Sequence, residues 1–200
     1  MIKTIFWDFD GVILDSMKVR DLGFYHIFRE FELSKVELLM QYHRENGGLS
    51  RYVKIRHFFN EILQEPISDK LVMDYAEEFS FMMRNELTQK KYLIQETVEF
   101  IEKEHKNLNF HIVSGSDGNE LRFLCKKLGL TSYFKTIDGS PIPKKELVNN
   151  ILKTFSYEIK DTILIGDSIN DYYAAKHNQI RFMAYNNPLI ERYSNVKINF

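Results

Sequence analysis

Two hundred residues suffice for one large domain, or for a core carrying a smaller insertion. Hydrophobic residues make up 44% and aromatics 14%, with only four prolines and nine glycines, so the chain is packed and globular rather than disordered. Its 27 basic and 28 acidic residues are evenly mixed for a formal net charge of −1, which excludes a nucleic-acid footprint or a polybasic membrane patch. The one cysteine, Cys125, excludes an internal disulfide and most thiolate metal sites, and is expected to be a packing residue in a helix. No apolar run approaches membrane-spanning length, and the N-terminus enters a strand rather than a signal peptide, so a cytoplasmic location is expected.

The chain opens on a short run of β-formers, Ile2 to Trp7, that stops at Asp8-Phe9-Asp10-Gly11. This reads as a buried strand delivering two carboxylates into a crevice at its C-terminal end. After Leu14 the pattern becomes helical for about seventy residues. Leu22, Tyr25, Phe28 and Phe31 recur at helical spacing, and Ser34-Lys35-Val36-Glu37 is a capping box for a second helix through Leu38, Leu39 and Tyr42. Gly47-Gly48 breaks the pattern, and Ser50 is placed to cap the next helix. Tyr52 to Leu63 is again helical, and Ser68 precedes a long helix with Leu71, Val72, Tyr75, Phe79, Met82 and Met83 on one face. No strand fits between residues 15 and 88, so this stretch is expected to be a helical insertion with its own small core. Residues 1–14 and 89–200 then form the α/β core.

From residue 89 an α/β rhythm returns. Helix is expected over Thr97 to His105 and strand over Asn109 to Val113, ending at Ser114-Gly115-Ser116-Asp117-Gly118. Asp117 is an N-cap for the helix that follows, and Gly129 a left-handed C-cap. Phe134 to Ile137 is a short strand, and a helix runs from Lys144 to Phe155. A strand over Thr162 to Ile165 enters Gly166-Asp167-Ser168-Ile169-Asn170-Asp171, then come a helix with Ala174 and Ala175, a strand over Arg181 to Tyr185 and a last one over Val196 to Ile198. The alternation predicts a Rossmann-like, mostly parallel sheet covered on both faces.

Three strands thus end in polar, glycine-containing loops, and a parallel sheet brings such ends to one edge. Asp8 and Asp10 supply one loop, Ser114 and Gly115 the second, Asp167 and Asp171 the third. Clustered carboxylates suit a hard divalent cation, with Mg²⁺ the candidate. A hydroxyl beside a helix N-terminus suits an anion, and Lys144 or Lys145 can supply the fixed positive charge. An acid nucleophile, a metal, an anion cradle and a lysine describe phosphoryl transfer through an aspartyl phosphate.

The set resembles the haloacid dehalogenase superfamily, in its phosphatase-like members with a helical cap inserted after the first motif. Asp8-Phe9-Asp10-Gly11 matches the first motif, Ser114 the second and Gly166-Asp167-Ser168-x-x-Asp171 the fourth. The third is similar either to Lys-Pro-x-Pro, which places Ser140 where the lysine belongs, or to Gly-Ser-Pro-x-x-Lys, which selects Lys144 and holds Lys145 in reserve. The resemblance implies that Asp8 is nucleophile and metal ligand, and that Asp10 is general acid/base and ligates through its carbonyl. It implies further that Asp167 is a metal ligand, that Asp171 supports the metal through water or the lysine, and that Ser114, Gly115 and Lys144 bind phosphate. The implied substrate is a small phosphorylated metabolite such as a sugar phosphate or phosphoglycolate. Asp10 favours a phosphatase or a phosphomutase. Mutases of this architecture carry a histidine on the first cap helix, where Arg20 stands here and His26 lies further on. That tilts the reading to hydrolysis over the mutase, with a non-catalytic module as a third possibility. In capped relatives the loop at Gly47-Gly48 reads the leaving group, which makes Arg51 and Lys54 candidates for selectivity.

Overall fold

The computed structural model describes all 200 residues. Strand β1 (Thr4–Trp7) is followed by four helices with no strand among them: α1 (Met17–Ile27), α2 (Leu33–Glu45), α3 (Arg51–His57) and α4 (Asp69–Glu86). The chain continues through α5 (Gln95–Glu104), β2 (Asn109–Asp117), α6 (Gly118–Leu128), β3 (Thr136–Ser140), α7 (Lys144–Thr154), β4 (Thr162–Gly166), α8 (Ile169–His177) and β5 (Arg181–Ala184). All strand pairs are parallel and the sheet order is β3-β2-β1-β4-β5. No helix is long and apolar enough to cross a membrane.

Strands β1 and β4 are buried throughout, as a parallel sheet covered on both faces requires. Their side chains alternate between two cores. Ile5 and Trp7 join Val98 and Ile101 of α5 and Leu121 and Leu124 of α6 on one face. Phe6 joins Leu147 and Val148 of α7 and Ala174 and Ala175 of α8 on the other. From β1 the chain moves outward to β2 and β3, then returns to the far side of β1 for β4 and β5. A crevice therefore opens beyond the C-terminal end of β1, where the winding reverses.

Local chemistry sets the helix starts. Ser50 and Ser68 accept from the N–H groups of Val53 and Leu71, at 3.4 and 3.2 Å. Asp117 accepts from Asn119 and Glu120, at 3.0 and 2.9 Å, and Ser168 forms a capping box with Asp171. Gly129 ends α6 at φ 80°, the left-handed cap expected of it.

Several details differ from the sequence reading. The apolar packing of the insertion is continuous with that of the sheet: one cluster of 34 buried residues runs from Ile5 and Trp7 to Phe24, Phe28, Phe58, Phe79 and Met83. Leu22, Leu38 and Leu71 are exposed; on α1 the buried face is built on Val19, Arg20, Gly23, Phe24 and Ile27 instead. Apolar spacing misses a face that buries an arginine and a glycine, and Gly23 is there because a Cβ would lie 2.7 Å from the Phe79 ring. Ser34 caps nothing; α2 starts at Leu33, and the Ser34 hydroxyl donates to Glu32 at 2.5 Å. Helix α3 passes into a π-helical turn over Phe58–Leu63. Strand β2 runs on to Asp117 through a register shift against β3, and residues 196–198 form no strand.

Candidate active site

The register of the sheet assembles the site. Trp7 pairs with Ile112 of β2 and Ile165 of β4, so the residues just beyond these three positions share one edge. Asp8 follows β1 directly, with its N–H on the Ile165 carbonyl at 2.9 Å. Ser114 lies two residues past Ile112, and Asp167 two past Ile165. Carboxylate oxygens of Asp8, Asp167 and Asp171 come within 4.8 Å of one another.

Lys144, at the first turn of α7, is buried between them. Its ammonium lies 2.8 Å from Asp8 Oδ1 and donates also to Asp171 Oδ1. The other oxygen of Asp171 accepts from the Ser168 N–H and hydroxyl, at 2.9 and 2.6 Å. Both Asp171 oxygens are thus engaged in orienting the lysine and the start of α8. Lys145 is exposed and meets none of these groups. Gly11, at φ 76°, and Gly166 keep space open here, since a Cβ on either would run into the Asp167 or Asp171 carboxylate. Asn187 donates to the Asp167 carbonyl at 2.7 Å and Asn186 to the Gly11 carbonyl at 3.2 Å, which fixes both loops.

Burial and the nearby Asp171 push the Asp8 carboxyl up to about 7, against the pull of Lys144. Burial and Asp8 likewise raise Asp167 well above the usual range. One lysine does not balance three converging carboxylates. An all-oxygen donor set with this surplus of negative charge fits Mg²⁺, with Asp8 and Asp167 the carboxylates free to hold it.

Asp10 points away from that cluster, toward the insertion. Its Oδ1 accepts from the Ser16 hydroxyl and from Arg20 Nε at 2.6 Å, and its Oδ2 from the Ser116 hydroxyl at 2.5 Å. Burial alone would raise its pKa, but Arg20 and the two hydroxyls outweigh that and hold the carboxyl below its ordinary value. Across the crevice, Ser114 Oγ accepts from the Ser116 N–H at 3.1 Å. The Gly48 carbonyl sits directly over Gly115, where a Cβ would fall 2.9 Å from the Gly48 carbonyl carbon.

Insertion and core enclose a cavity of about 30 Å³, room for about two waters. Asp8, Asp10, Asp167 and Ser114 line its floor, and Arg20, His43, Arg51 and Lys54 its roof. Arg51 is buried, with Nη1 2.5 Å from Ser80 Oγ and 2.6 Å from Glu120 Oε2. Lys54 lies 2.8 Å from His43 Nδ1 and donates to the Gly47 carbonyl at 3.1 Å. Burial and the neighbouring Arg20 push its ammonium down to about 7. Asp8, Asp10, Asp167, Ser114, Gly115, Arg51 and Lys54 thus line one cavity, with Lys144 and Asp171 joined to it through Asp8, and Lys145 lies outside it. Arg20, Ser116 and Glu120 were not assigned roles from sequence. Ser116 could have been suspected from its place two residues past Ser114, whereas an acid in the first turn of a helix, like Glu120, looks ordinary.

A parallel sheet with its acids at the winding reversal and a helical insertion after the first strand defines an α/β architecture with a charged crevice at one sheet edge. A family model described as haloacid dehalogenase-like hydrolase matches residues 5–185. The chain therefore belongs to the haloacid dehalogenase-like hydrolases and is an enzyme of the phosphatase kind. It is 23% identical over 192 residues to the pyrophosphatase PpaX of Oceanobacillus iheyensis, covering 92% of this chain and 83% of that one. The fold is similar to that of β-phosphoglucomutase from Clostridium difficile, with TM-score 0.77, 16% identity, and 100% and 91% of the two chains covered. It is similar also to CbbY from Rhodobacter sphaeroides in complex with xylulose-1,5-bisphosphate, with TM-score 0.75, 13% identity, and 94% and 89% covered.

Proposed function

We propose that this enzyme hydrolyses a small phosphomonoester through an aspartyl phosphate on Asp8. The observation that carries this reading is the convergence of Asp8, Asp167 and Asp171 around Lys144, with Ser114 and Gly115 facing them. Asp8 would attack phosphorus, and its oxygen would become the bridging oxygen of the acyl phosphate as the alcohol leaves. Asp10, whose carboxyl Arg20 and the two hydroxyls hold below its ordinary value, must take up a proton before it can protonate that alcohol, and it afterwards takes a proton from the water that attacks the acyl phosphate. Lys144 offsets the charge gathering on Asp8 and the phosphoryl oxygens, while Ser114 and the Gly115 N–H hold those oxygens. Bound Mg²⁺, held by Asp8, Asp167 and the Asp10 carbonyl with Asp171 in support, would supply charge neutralisation.

The roof of the cavity supports a substrate whose leaving group carries a second anion, a carboxylate or another phosphate. Arg20 Nη2 and Arg51 Nη2 are buried donors without a partner, and both residues line the cavity. A buried unmet donor is costly, and an anion would satisfy both. The insertion acts as a cap that lifts to admit this substrate, since the closed cavity is too small for it.

The test is a panel of sugar, sugar-acid and nucleoside phosphates and pyrophosphate, with and without Mg²⁺. Asp8→Asn should abolish turnover and leave the fold intact. Asp10→Asn should lose most turnover yet bind metal, whereas Asp167→Asn should weaken Mg²⁺ binding. Turnover with no phosphoenzyme trapped on Asp8 refutes the mechanism. Conversion that requires a bisphosphate primer replaces it with the mutase.

A further inference from the structure

We propose that Glu120 is the clasp that holds the insertion against the core and, through Arg20, a positioning residue for Asp10; its kinetic consequence rests on the hydrolase reading above. Glu120 belongs to the first turn of α6, a core helix, yet both its cationic partners come from the insertion. Arg20 Nη1 of α1 lies 3.1 Å from Oε1, and Arg51 Nη1 of α3 lies 2.6 Å from Oε2. The carboxylate is 0% exposed. An acid kept in a first turn for the helix dipole alone would stay in water, where its charge costs nothing. Here it is dehydrated and aimed across the interface. The same turn receives a third group from the insertion, since the Tyr52 hydroxyl donates to Asp117 Oδ2 at 2.8 Å.

Arg20 divides its guanidinium between two carboxylates. Nε serves Asp10 at 2.6 Å while Nη1 serves Glu120. Held at one point, the planar fork could swing about that bond; held at two, it presents Nε to Asp10 in one orientation. Arg51 is fixed in the same way, by Glu120, by Ser80 and by the Phe79 ring 4.5 Å from its guanidinium carbon. Lifting the insertion separates both arginines from Glu120 and Arg20 from Asp10 together. Closure and the placement of Asp10 are therefore one event.

The test measures closure separately from turnover. Spin labels at Met73→Cys on α4 and Lys153→Cys on α7 occupy exposed positions, and the native Cys125 is buried. Pulsed electron resonance should give a narrow distance in the parent and a broader, longer one in Glu120→Gln, at an unchanged circular-dichroism spectrum. With the best phosphomonoester, Glu120→Gln should lower kcat by about 10-fold or more because Asp10 is misplaced, and raise KM as well because the two arginines facing the leaving group are freed; with a small synthetic phosphate ester that carries no second anion, kcat should fall similarly while KM changes by less than about 3-fold. Arg51→Gln should broaden the distance similarly, and the double variant should add little to either. A parental distance distribution in Glu120→Gln, or an unchanged kcat, overturns the proposal. If Glu120→Gln does not fold, Glu120→Asp keeps the charge but is one methylene too short to reach both arginines; a narrow distribution there overturns it equally. A parent enzyme inert toward every phosphomonoester sinks the hydrolase reading instead, and the distances still decide the clasp.

Discussion

Lys54 is the residue whose cost and use can be separated most cleanly. It is buried in the roof of the cavity, where dehydration and the Arg20 charge push its ammonium down to about 7 from the ordinary 10.5. A folded-state pKa below the unfolded one means that the unfolded chain binds more protons between these values. Stability therefore rises with pH from about 7 to about 10.5, and is flat below that window. At pH 7 the lysine holds stability about 4 kcal/mol below its high-pH level, and at pH 9.5 only about 1 kcal/mol. Lys54→Met removes this dependence and fills similar space. It also strips His43 Nδ1 and the Gly47 carbonyl of a partner, which costs about 1–3 kcal/mol at every pH. The pH-dependent part is what identifies the lysine. Urea denaturation of both proteins at pH 7 and 9.5 should give a stability difference that shifts by about 3 kcal/mol in favour of the parent at the higher pH. A bound anion would keep the lysine charged, so Lys54→Met should also weaken inorganic phosphate or pyrophosphate binding. A stability difference that stays constant across the pH range would refute the reasoning.

Two further outcomes follow from the floor of the site. Lys144→Met should abolish turnover and, measured without Mg²⁺, cost about 3 kcal/mol or more, because it leaves Asp8 and Asp171 facing each other; Lys145→Met should change neither turnover nor the urea midpoint appreciably. Gly115→Ala drives a methyl into the Gly48 carbonyl and should cost about 1–3 kcal/mol. It should cut turnover on every substrate alike, and a selective loss on large substrates would show instead that Gly115 only shapes the pocket.

What could be read from sequence and what could not divides along a physical line. Asp8, Asp10, Ser114 and Asp167 were visible because each follows an apolar β-run, and a parallel sheet gathers such ends whatever lies between them. The Asp117, Ser50 and Gly129 caps were visible because a cap acts within a few residues of itself. The third motif left Lys144 and Lys145 open. Only the first turn of α7 decides which of two adjacent lysines turns inward, and it turns Lys144.

The clasp was invisible for a different reason. Glu120 lies 100 residues from Arg20 and 69 from Arg51, and each reads locally as a solvated charge on a helix. The misplacement of Leu22 and the missed role of Arg20 are the same error, because apolar spacing assigns an arginine to water by default. The buried chain Asp10–Arg20–Glu120–Arg51–Ser80 reverses that default by pairing charges that no single helix contains. Such a chain gains little stability over an apolar one of similar volume. What it adds is dependence on one arrangement of the insertion, since the pairs of Arg20 and Arg51 with Glu120 break when α1 and α3 move away from α6. In the clasp proposed above, the orientation of Asp10 then belongs to the arrangement in which Arg20 meets both carboxylates.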